Sequence, residues 1–378
     1  MQPLGIYVHI PFCKRKCAYC DFYSLSCPQD AQMDAYLCAL QKQIRDFFSR
    51  EGQCSVDTLY IGGGTPSVFG AARLCALLQT IRDSACLLPD AEITVEVNPE
   101  SVSDDLLRAL RAAGVNRISM GIQSSDDTQL AALGRLHTFA RAKEAAEKIQ
   151  TLCTENLSVD LMYGLPGQSM ESWQQSVEDI LALRPAHISC YALKLEEGTP
   201  LWRQNPVLPE DDLQADMYLW LVSRLAKSGY AQYEISNFSL PGKESRHNSR
   251  YWDLRDYIGF GCGAHSYYGG KRFSTVSSLQ AYLSAMAEGR SVLEAEDEEV
   301  YPDRSAEYLM LGLRTARGVE AGAYTARFDR DFAPCAAVLQ RYLAVGYVGR
   351  EGERWYLTPE GFLVSNAIIS DVLDAADV

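Results

Sequence analysis

The sequence predicts an α/β protein, a partial (β/α)6 barrel with a small, mostly helical C-terminal domain. Short β-branched, apolar segments alternate with helical segments over the first two thirds of the chain. Six of these strands run directly into a polar or Gly/Pro-rich loop, the position at which barrel enzymes carry their functional residues. Six repeats, rather than eight, indicate a barrel that stays open on one side and admits a large ligand.

The predicted strands are short, and each ends at such a loop. They are Gly5–Ile10, Ser55–Ile61, Ile93–Val97, Arg117–Ile122, Val159–Tyr163 and His187–Leu193. The clearest helix between them begins after Ser103, which predicts an N-cap, and stops at Gly114. Its apolar stripe consists of Leu106, Leu107, Leu110 and Ala113.

Beyond residue 209 the pattern becomes more helical. A helix leads from Pro209 to Gly229, a strand follows over Tyr230–Phe238, and residues 241–270 show little periodicity. An acidic link at 296–299 precedes helices over 306–316 and 334–345 and a hairpin over 347–357 that turns at 351–353. We therefore divide the chain into a core at 1–240, an irregular segment at 241–290 and a winged-helix-like domain at 291–378.

Composition limits the class of protein. The chain has 378 residues, of which 47% are hydrophobic, and a net charge of -14, which argues against a large nucleic-acid surface. We find no signal peptide and no apolar run of about 20 residues that could span a bilayer. The twelve cysteines are scattered through predicted helices and strands, a pattern typical of reduced core residues in the cytoplasm.

Three cysteines stand apart from the others. Cys13, Cys17 and Cys20 form a C-x3-C-x2-C motif, which provides one thiolate fewer than complete cysteine ligation of a [4Fe-4S] cluster requires. The fourth iron would then be open to a small molecule, which favours chemistry over electron storage. The basic residues at 14–16 fit this interpretation because positive charge lowers the pKa of a thiol. A zinc site completed by a distant histidine is the alternative on these residues alone.

Further motifs follow other strands. Gly62-Gly63-Gly64-Thr65-Pro66 would let a ligand approach the backbone and would expose amide N–H groups to a carboxylate or phosphate, although such a run is also common in tight turns. Glu96, near a strand end, could accept hydrogen bonds from a ribose diol. Gln123, Arg135 and Asp160 also lie at or after strand ends, where Arg135 could pair with a carboxylate and Asp160 could bond a ribose hydroxyl.

These motifs carry a resemblance to a known family. The cysteine loop and the glycine run resemble those of the radical S-adenosylmethionine (SAM) superfamily. The ordered set Tyr7-Val8-His9-Ile10-Pro11-Phe12-Cys13, Gly62 to Pro66, Gly121-Ile122-Gln123-Ser124, Asp160 to Pro166 and Tyr233-Glu234-Ile235-Ser236-Asn237 is similar to the radical-SAM heme chaperone (HemW) family. That family is related to oxygen-independent coproporphyrinogen III oxidase.

The resemblance implies cofactors and site residues. It implies a [4Fe-4S] cluster on Cys13, Cys17 and Cys20, with SAM capping the open iron through its amino and carboxylate groups. The implied SAM contacts are Tyr7, Tyr19, Gly63, Gly64, Thr65, Glu96, Gln123, Arg135 and Asp160. It further implies binding of heme and its transfer to an acceptor protein, a hemoprotein of the respiratory chain.

Two features distinguish the branches of this family. The oxidase carries a fourth cysteine where this chain has Phe22, and it has an extension before the cysteine loop, which here begins almost at the N-terminus. The segment His247-Asn248-Ser249-Arg250-Tyr251-Trp252 matches the H-N-x-x-Y-W motif of the heme chaperones. Both features favour the chaperone over the alternative, an oxidase that converts two propionates to vinyls by 5′-deoxyadenosyl radical chemistry.

The same motif provides a candidate heme ligand. The imidazole of His247 could be an axial ligand to heme iron, with Tyr251 and Trp252 as flat apolar partners of the porphyrin. A histidine beside aromatic residues is also often a core residue, so His9 and His265 remain alternatives. We interpret His137 and His187 as structural.

Overall fold

Strands and helices alternate along the chain in the computed structural model, which describes residues 3–294, 299–300 and 303–376. The strands are β1 (Leu4–Ile10), β2 (Phe12–Cys13), β3 (Leu25–Ser26), β4 (Ser55–Gly63), β5 (Cys86–Val97), β6 (Arg117–Gln123), β7 (Leu157–Tyr163), β8 (His187–Ala192), β9 (Ala231–Glu234), β10 (Asn237–Ser239), β11 (Tyr257–Phe260), β12 (His265–Tyr268), β13 (Lys271–Ser274), β14 (Glu299–Val300), β15 (Val319–Glu320), β16 (Val348–Glu351) and β17 (Arg354–Leu357).

The helices vary in length from one turn to six. They are α1 (Asp30–Glu51), α2 (Pro66–Phe69), α3 (Ala71–Ser84), α4 (Asp104–Ala112), α5 (Asp127–Ala132), α6 (Phe139–Leu152), α7 (Met170–Ala182), α8 (Pro200–Gln204), α9 (Asp211–Lys227), α10 (Arg246–Trp252), α11 (Leu279–Glu288), α12 (Ser305–Gly312), α13 (Ala321–Phe328), α14 (Ala333–Ala344), α15 (Pro359–Leu363) and α16 (Ser365–Ala375). A short 3-10 turn spans Pro99–Ser101.

The chain forms two compact units, each built from two stretches of sequence. The first contains residues 1–209 and 256–300, and the second contains residues 210–255 and 301–378. The predicted boundaries, 1–240, 241–290 and 291–378, follow the chain in order and therefore differ from this division. Within the described residues, no helix combines the length and apolarity needed to cross a bilayer.

The first unit is organised around parallel strands. Strands β1, β4, β5, β6, β7 and β8 lie side by side in chain order, and each neighbouring pair is parallel. These are the six strands predicted from the sequence, and the prediction is confirmed. The described strands form an open row rather than a closed ring, as expected for a partial barrel.

Helices connect these strands and pack against one another. Helix α1 contacts α3, α3 contacts α4, and α4 contacts α6. Helix α4 begins as predicted, because the Ser103 hydroxyl accepts a hydrogen bond from the Leu106 amide, and Leu106, Leu107 and Leu110 are buried. Gly114 follows the helix with a φ of +82°, a conformation that glycine adopts without strain.

The sheet of the first unit continues on the other side of β1. Strand β11 pairs with β1 in parallel, and β12, β13 and β14 then add antiparallel strands. Within the segment 241–290, which we predict to be irregular, residues 241–270 contain α10, β11 and β12. These elements are each four to seven residues long, too short to produce a clear periodicity in the sequence.

The described part of the second unit contains helices, one antiparallel pair of strands and one three-stranded antiparallel sheet. The single strand predicted over Tyr230–Phe238 is two strands, β9 and β10, which pair antiparallel across a tight turn. The predicted hairpin is confirmed as β16 and β17, and β15 joins it in the order β15-β17-β16. The two predicted helices of this region correspond to α12 and α14. Of the predicted acidic link at 296–299, residues 296–298 lie outside the described residues, and Glu299 begins β14.

Candidate functional site

The cysteine loop and the glycine run lie beside each other because β1 and β4 are neighbouring strands. Ile10, the last residue of β1, is in register with Gly63 at the end of β4. The amide of Gly64 donates to the carbonyl of Ile10 at 2.9 Å, and the amide of Thr65 donates to the carbonyl of Phe12 at 2.8 Å. Two loops separated by about fifty residues in sequence therefore form one wall at the carboxyl ends of the parallel strands.

The three cysteines of this loop remain free thiols, and two of them receive hydrogen bonds from distant residues. Cys13 is buried, whereas Cys17 and Cys20 are half-buried. The Thr65 hydroxyl lies 3.5 Å from the Cys13 sulfur, and Nη1 of Arg135 lies 3.4 Å from the Cys17 sulfur. Burial raises the pKa of the Cys13 thiol and of the Cys20 thiol. A bound cation would offset that cost, since metal coordination deprotonates a thiol.

Close packing explains why glycines follow β4. A Cβ atom on Gly64 would lie 3.0 Å from the Cys13 sulfur and 2.8 Å from the Phe12 carbonyl oxygen. A Cβ atom on Gly63, whose φ is +114°, would lie 2.6 Å from the His9 ring. A side chain at Gly64 would push the cysteine loop away from β4, and one at Gly63 would displace the His9 ring.

The amide groups of the glycine run are already bonded within the protein. Gly63 donates its N–H to Oε2 of Glu96 at 3.1 Å, and the amides of Gly64 and Thr65 donate to the cysteine loop. The prediction that these amides are exposed to an anionic ligand is therefore wrong. The glycines instead permit the close packing of His9 and of the cysteine loop against the end of β4.

Glu96 is a buried carboxylate held by two donors. The Tyr60 hydroxyl donates to Oε1 at 2.7 Å, while Gly63 donates to Oε2. Burial raises the pKa of Glu96 to about 7, against the lowering effect of the Tyr60 hydrogen bond. Two donors leave further lone pairs on a carboxylate, so Glu96 can still accept hydrogen bonds from a diol.

Arg135 connects several parts of the site. Its Nη1 contacts the Cys17 sulfur. Its Nη2 donates to Oδ1 of Asn98 at 2.7 Å and to the carbonyl oxygen of Gly121 at 2.5 Å. Its Nε is buried and has no hydrogen-bond partner in the protein. An unpartnered N–H on a buried guanidinium is a donor available to an anionic ligand group such as a carboxylate.

Gln123 and Asp160 end the neighbouring strands. Gln123 is the last residue of β6, buried, with a φ of +79°, a left-handed conformation that is uncommon for glutamine and occurs often at functional sites. Asp160 accepts a hydrogen bond from the Ser119 hydroxyl at 3.5 Å, and burial raises the pKa of its carboxyl. Both side chains face the same space as Glu96.

Most of the predicted cluster and SAM residues line one cleft of about 150 Å³. Its lining includes Cys13, Cys17, Tyr19, Cys20, Gly63, Gly64, Thr65, Glu96, Gln123, Arg135 and Asp160. Tyr7 is not part of this lining, because its ring stacks on Tyr60 and its hydroxyl lies 3.0 Å from Nδ1 of His9. Phe22 lines the cleft with 71% of its surface exposed.

Sequence reasoning missed Asn98 and Ser119 as cleft residues. Asn98 also donates to the Thr65 hydroxyl at 3.0 Å, so it joins the glycine run to Arg135. A signal for both existed, since residues two apart on a strand face the same side. Asn98 follows Glu96 by two residues, and Ser119 precedes Gly121 and Gln123 at the same spacing.

The candidate heme ligands differ strongly in accessibility. His247 lies on α10 in the second unit, is fully buried, and has Nε2 2.9 Å from the Tyr251 hydroxyl. In the first unit, His9 is buried with both ring nitrogens bonded, to the Tyr7 hydroxyl and the Tyr23 carbonyl. His265, the first residue of β12, is exposed. His137 and His187 are both buried, as expected of structural residues.

The residues of the cleft fit an iron-sulfur cluster with SAM. Among the residues that the structure describes, no group of three or more His, Cys, Asp or Glu side chains is arranged to hold one metal ion. Cluster cysteines meet a different requirement, since they bond to a four-iron core. The two side-chain donors to sulfur and the unpartnered Nε of Arg135 match a cluster and a small ligand with a carboxylate.

Comparison with known proteins agrees with this site. Residues 7–180 match the Radical SAM superfamily, and residues 302–364 match the HemN C-terminal domain. Two proteins named heme chaperone HemW, from Lactococcus lactis and Escherichia coli, are each 35% identical to this chain, and each alignment covers 98% of both proteins. The structure of coproporphyrinogen III oxidase (HemN) from Escherichia coli shares the fold, with a TM-score of 0.86 at 23% identity over 98% of this chain and 90% of that chain.

The parallel core, the C-x3-C-x2-C loop and the match over residues 7–180 define a radical SAM protein. Within that class, the similarity to heme chaperone HemW proteins over the whole length of both chains identifies the family. This chain belongs to the heme chaperone HemW family.

Proposed function

We propose that this protein is a heme chaperone that binds heme, holds a [4Fe-4S] cluster with SAM, and passes heme to an acceptor protein. The full-length similarity to proteins named heme chaperone HemW is the observation that carries the proposal. The similarity to the oxidase structure, at 23% identity, concerns the fold alone. The acceptor we propose is a hemoprotein of the respiratory chain.

Cys13, Cys17 and Cys20 would hold the cluster, which supplies an iron open to SAM. Arg135 would pair with the carboxylate of SAM through its free Nε, and Glu96 and Asp160 would accept hydrogen bonds from ribose hydroxyls. Tyr19, Gly63, Gly64, Thr65 and Gln123 would shape the remaining walls, with Tyr7 supporting them through Tyr60.

His247 is the heme ligand that we propose, with Tyr251 and Trp252 against the porphyrin. Because His247 is fully buried, heme binding there requires α10 to open. His265 is the alternative that needs no such opening, since it is exposed. A change in the heme spectrum of the His247→Ala protein, but not of the His265→Ala protein, would support His247.

We also propose that the protein works in a reducing compartment, the cytoplasm. All twelve cysteines are free thiols, and three of them are exposed, Cys27, Cys38 and Cys86. Exposed thiols persist where glutathione and thioredoxin keep them reduced.

The oxidase is the second candidate function, and one residue argues against it. Phe22 stands where the oxidase of the resemblance has a fourth cysteine, and its side chain lies at the cleft. A phenyl ring can neither ligate iron nor exchange a proton.

An anaerobic assay distinguishes the two functions. Cluster-reconstituted protein is offered coproporphyrinogen III, SAM and a reductant, and heme is titrated in parallel. We expect stoichiometric heme binding without decarboxylation. Many turnovers to protoporphyrinogen per protein would establish the oxidase and contradict our proposal.

A further inference from the structure

Three consecutive basic residues lie on the surface of the cysteine loop. Lys14, Arg15 and Lys16 stand between the first two cysteines of the motif, and all three are exposed. Residues 13–29 contain these three cations and a single acidic residue, although the whole chain has a net charge of -14. We call Lys14, Arg15 and Lys16 the basic loop surface. It is a positively charged region of an otherwise acidic protein.

The protein does not neutralise these charges with its own carboxylates. Lys14 donates from Nζ to the backbone carbonyl of Glu100 at 3.1 Å. Arg15 donates from Nη2 to the carbonyl oxygens of Gly134 at 2.7 Å and Arg135 at 3.1 Å. A backbone carbonyl fixes the position of a cation without cancelling its charge. In the part of the chain that the structure describes, no residue of the basic loop surface forms an ion pair.

An exposed aromatic side chain adjoins the basic loop surface. Phe22 is 71% exposed and lines the same cleft as Arg15 and Lys16. Aromatic residues and arginine are enriched where proteins bind each other, and charged groups surround the apolar contact there. Transient electron-transfer complexes bury less than about 1,200 Å² in total, so a small surface is sufficient for such a partner.

The location of the basic loop surface indicates what kind of protein would bind to it. Two of the proposed cluster ligands, Cys13 and Cys17, flank the three cations directly in the sequence. A protein docked there would lie beside the loop that holds the cluster. Iron-sulfur clusters exchange electrons, and plant-type ferredoxins are carriers with a potential of about -400 mV. An acidic carrier of this class matches both the charge and the position of the surface.

We propose that the basic loop surface docks an acidic, low-potential ferredoxin that reduces the cluster. The inference rests on the cluster proposed above. The [2Fe-2S] centre of the ferredoxin loses one electron, the [4Fe-4S] cluster gains it, and no bond forms or breaks. Opposite charges accelerate the association of two proteins at low ionic strength, and salt screens this attraction. The residues of the surface touch neither reacting centre in this assignment and act by positioning the partner.

The test measures reduction of the cluster-reconstituted protein by a reduced, acidic plant-type [2Fe-2S] ferredoxin in anaerobic stopped-flow experiments. Lys16 is the residue to change, because its backbone N–H, and not its side chain, is hydrogen-bonded within the described residues. Lys16→Glu should lower the second-order rate constant about tenfold at low ionic strength. Added salt should slow the parent protein more than the variant. Titration with oxidised ferredoxin should likewise show weaker binding to Lys16→Glu.

Two further variants control for net charge and for cluster uptake. Lys143→Glu, at an exposed lysine on α6 of the same unit, changes the net charge equally and should react with ferredoxin like the parent protein. Lys16→Gln removes the charge without reversing it and should show a smaller decrease in rate. It replaces Lys16→Glu in the test if the reversed charge prevents cluster uptake.

A small donor separates docking from an effect on the cluster itself. Photoreduced deazaflavin needs no docking surface and should reduce the parent protein and Lys16→Glu at equal rates. Equal slowing with both donors, or an unchanged rate and affinity with ferredoxin, would overturn the proposal. Weaker SAM binding by Lys16→Glu in equilibrium dialysis would assign this cation to SAM and would overturn it too. A parent protein that takes up no cluster would instead contradict the proposed function.

Discussion

Nε2 of His247 lies 2.9 Å from the hydroxyl oxygen of Tyr251, one helical turn further along α10. The two rings meet edge to face, with centroids 5.4 Å apart. A heme iron that bound Nε2 would have to displace this hydroxyl, because the Nε2 atom can serve one partner only, whichever of the two groups donates. The tyrosine of the H-N-x-x-Y-W motif thus occupies Nε2 of the histidine in the same motif.

We expect Tyr251→Phe to bind heme faster than the parent protein. The substitution keeps the aromatic ring but removes a hydrogen bond of about 1 kcal/mol, which corresponds to about fivefold in rate if that bond breaks before the iron binds. Stopped-flow measurement of the Soret band gives the association rate. An unchanged rate in Tyr251→Phe, together with a changed Soret band in His247→Ala, would show that the hydroxyl does not limit access.

Replacing Cys17 with Ser should abolish the visible absorbance of the cluster and lower its iron and sulfide content. Cys17 is half-buried in a loop, so we expect the free energy of unfolding of the cluster-free protein to change by less than about 0.5 kcal/mol. Cys86→Ser, at an exposed cysteine, is the matched control and should retain the cluster. A full iron and sulfide complement in Cys17→Ser would refute the ligand assignment.

Glu96→Gln should weaken SAM binding by about 10- to 100-fold, the range expected for a hydrogen bond to a charged group. Because the pKa of Glu96 is about 7, the parent protein should bind SAM more tightly at pH 8 than at pH 6, as the carboxylate forms. Equilibrium dialysis at both pH values measures this. The variant should show less of this pH dependence, and Glu144→Gln, at an exposed carboxylate of the same unit, should behave like the parent. Equal pH dependence in parent and Glu96→Gln would exclude Glu96 as its source.

Stability should fall as the pH rises through 7 because of Glu234 in the second unit. Burial raises the pKa of Glu234 to about 7, although Asn237 donates to its carboxylate. Between the unfolded and folded pKa values, the folded protein keeps a proton on Glu234 that the unfolded chain has already released. The free energy of unfolding therefore decreases as the pH rises above the unfolded pKa, and the decrease is complete above pH 7. We expect a loss of about 1 kcal/mol between pH 6 and pH 8.5 from this group.

Glu234→Gln should remove that dependence. Chemical denaturation at both pH values measures the free energy of unfolding, and Glu210→Gln, at an exposed position before α9, is the control. An equal pH dependence in Glu234→Gln and in the parent protein would exclude Glu234 as its cause.

The fold was predictable where each element carries a strong local signal. The six parallel strands are apolar and end at Gly, Pro or polar residues, and Ser103 caps α4 through its own side chain. The hydrophobic periodicity did not predict elements that are short. Helix α10, with seven residues, and strands β9 and β10, with four and three, span too few residues to show a period.

The sequence by itself determined the residues that can hold a cluster, because Cys13, Cys17 and Cys20 share one loop and their spacing is local. Only the tertiary structure decided which distant residues contact these cysteines. Thr65 and Arg135 reach the sulfurs from 52 and 118 residues away, and the amides of the glycine run are occupied by Glu96 and the cysteine loop. Such contacts depend on which strands are neighbours in the sheet. Strand order arises from packing of the whole unit, and no short stretch of sequence encodes it.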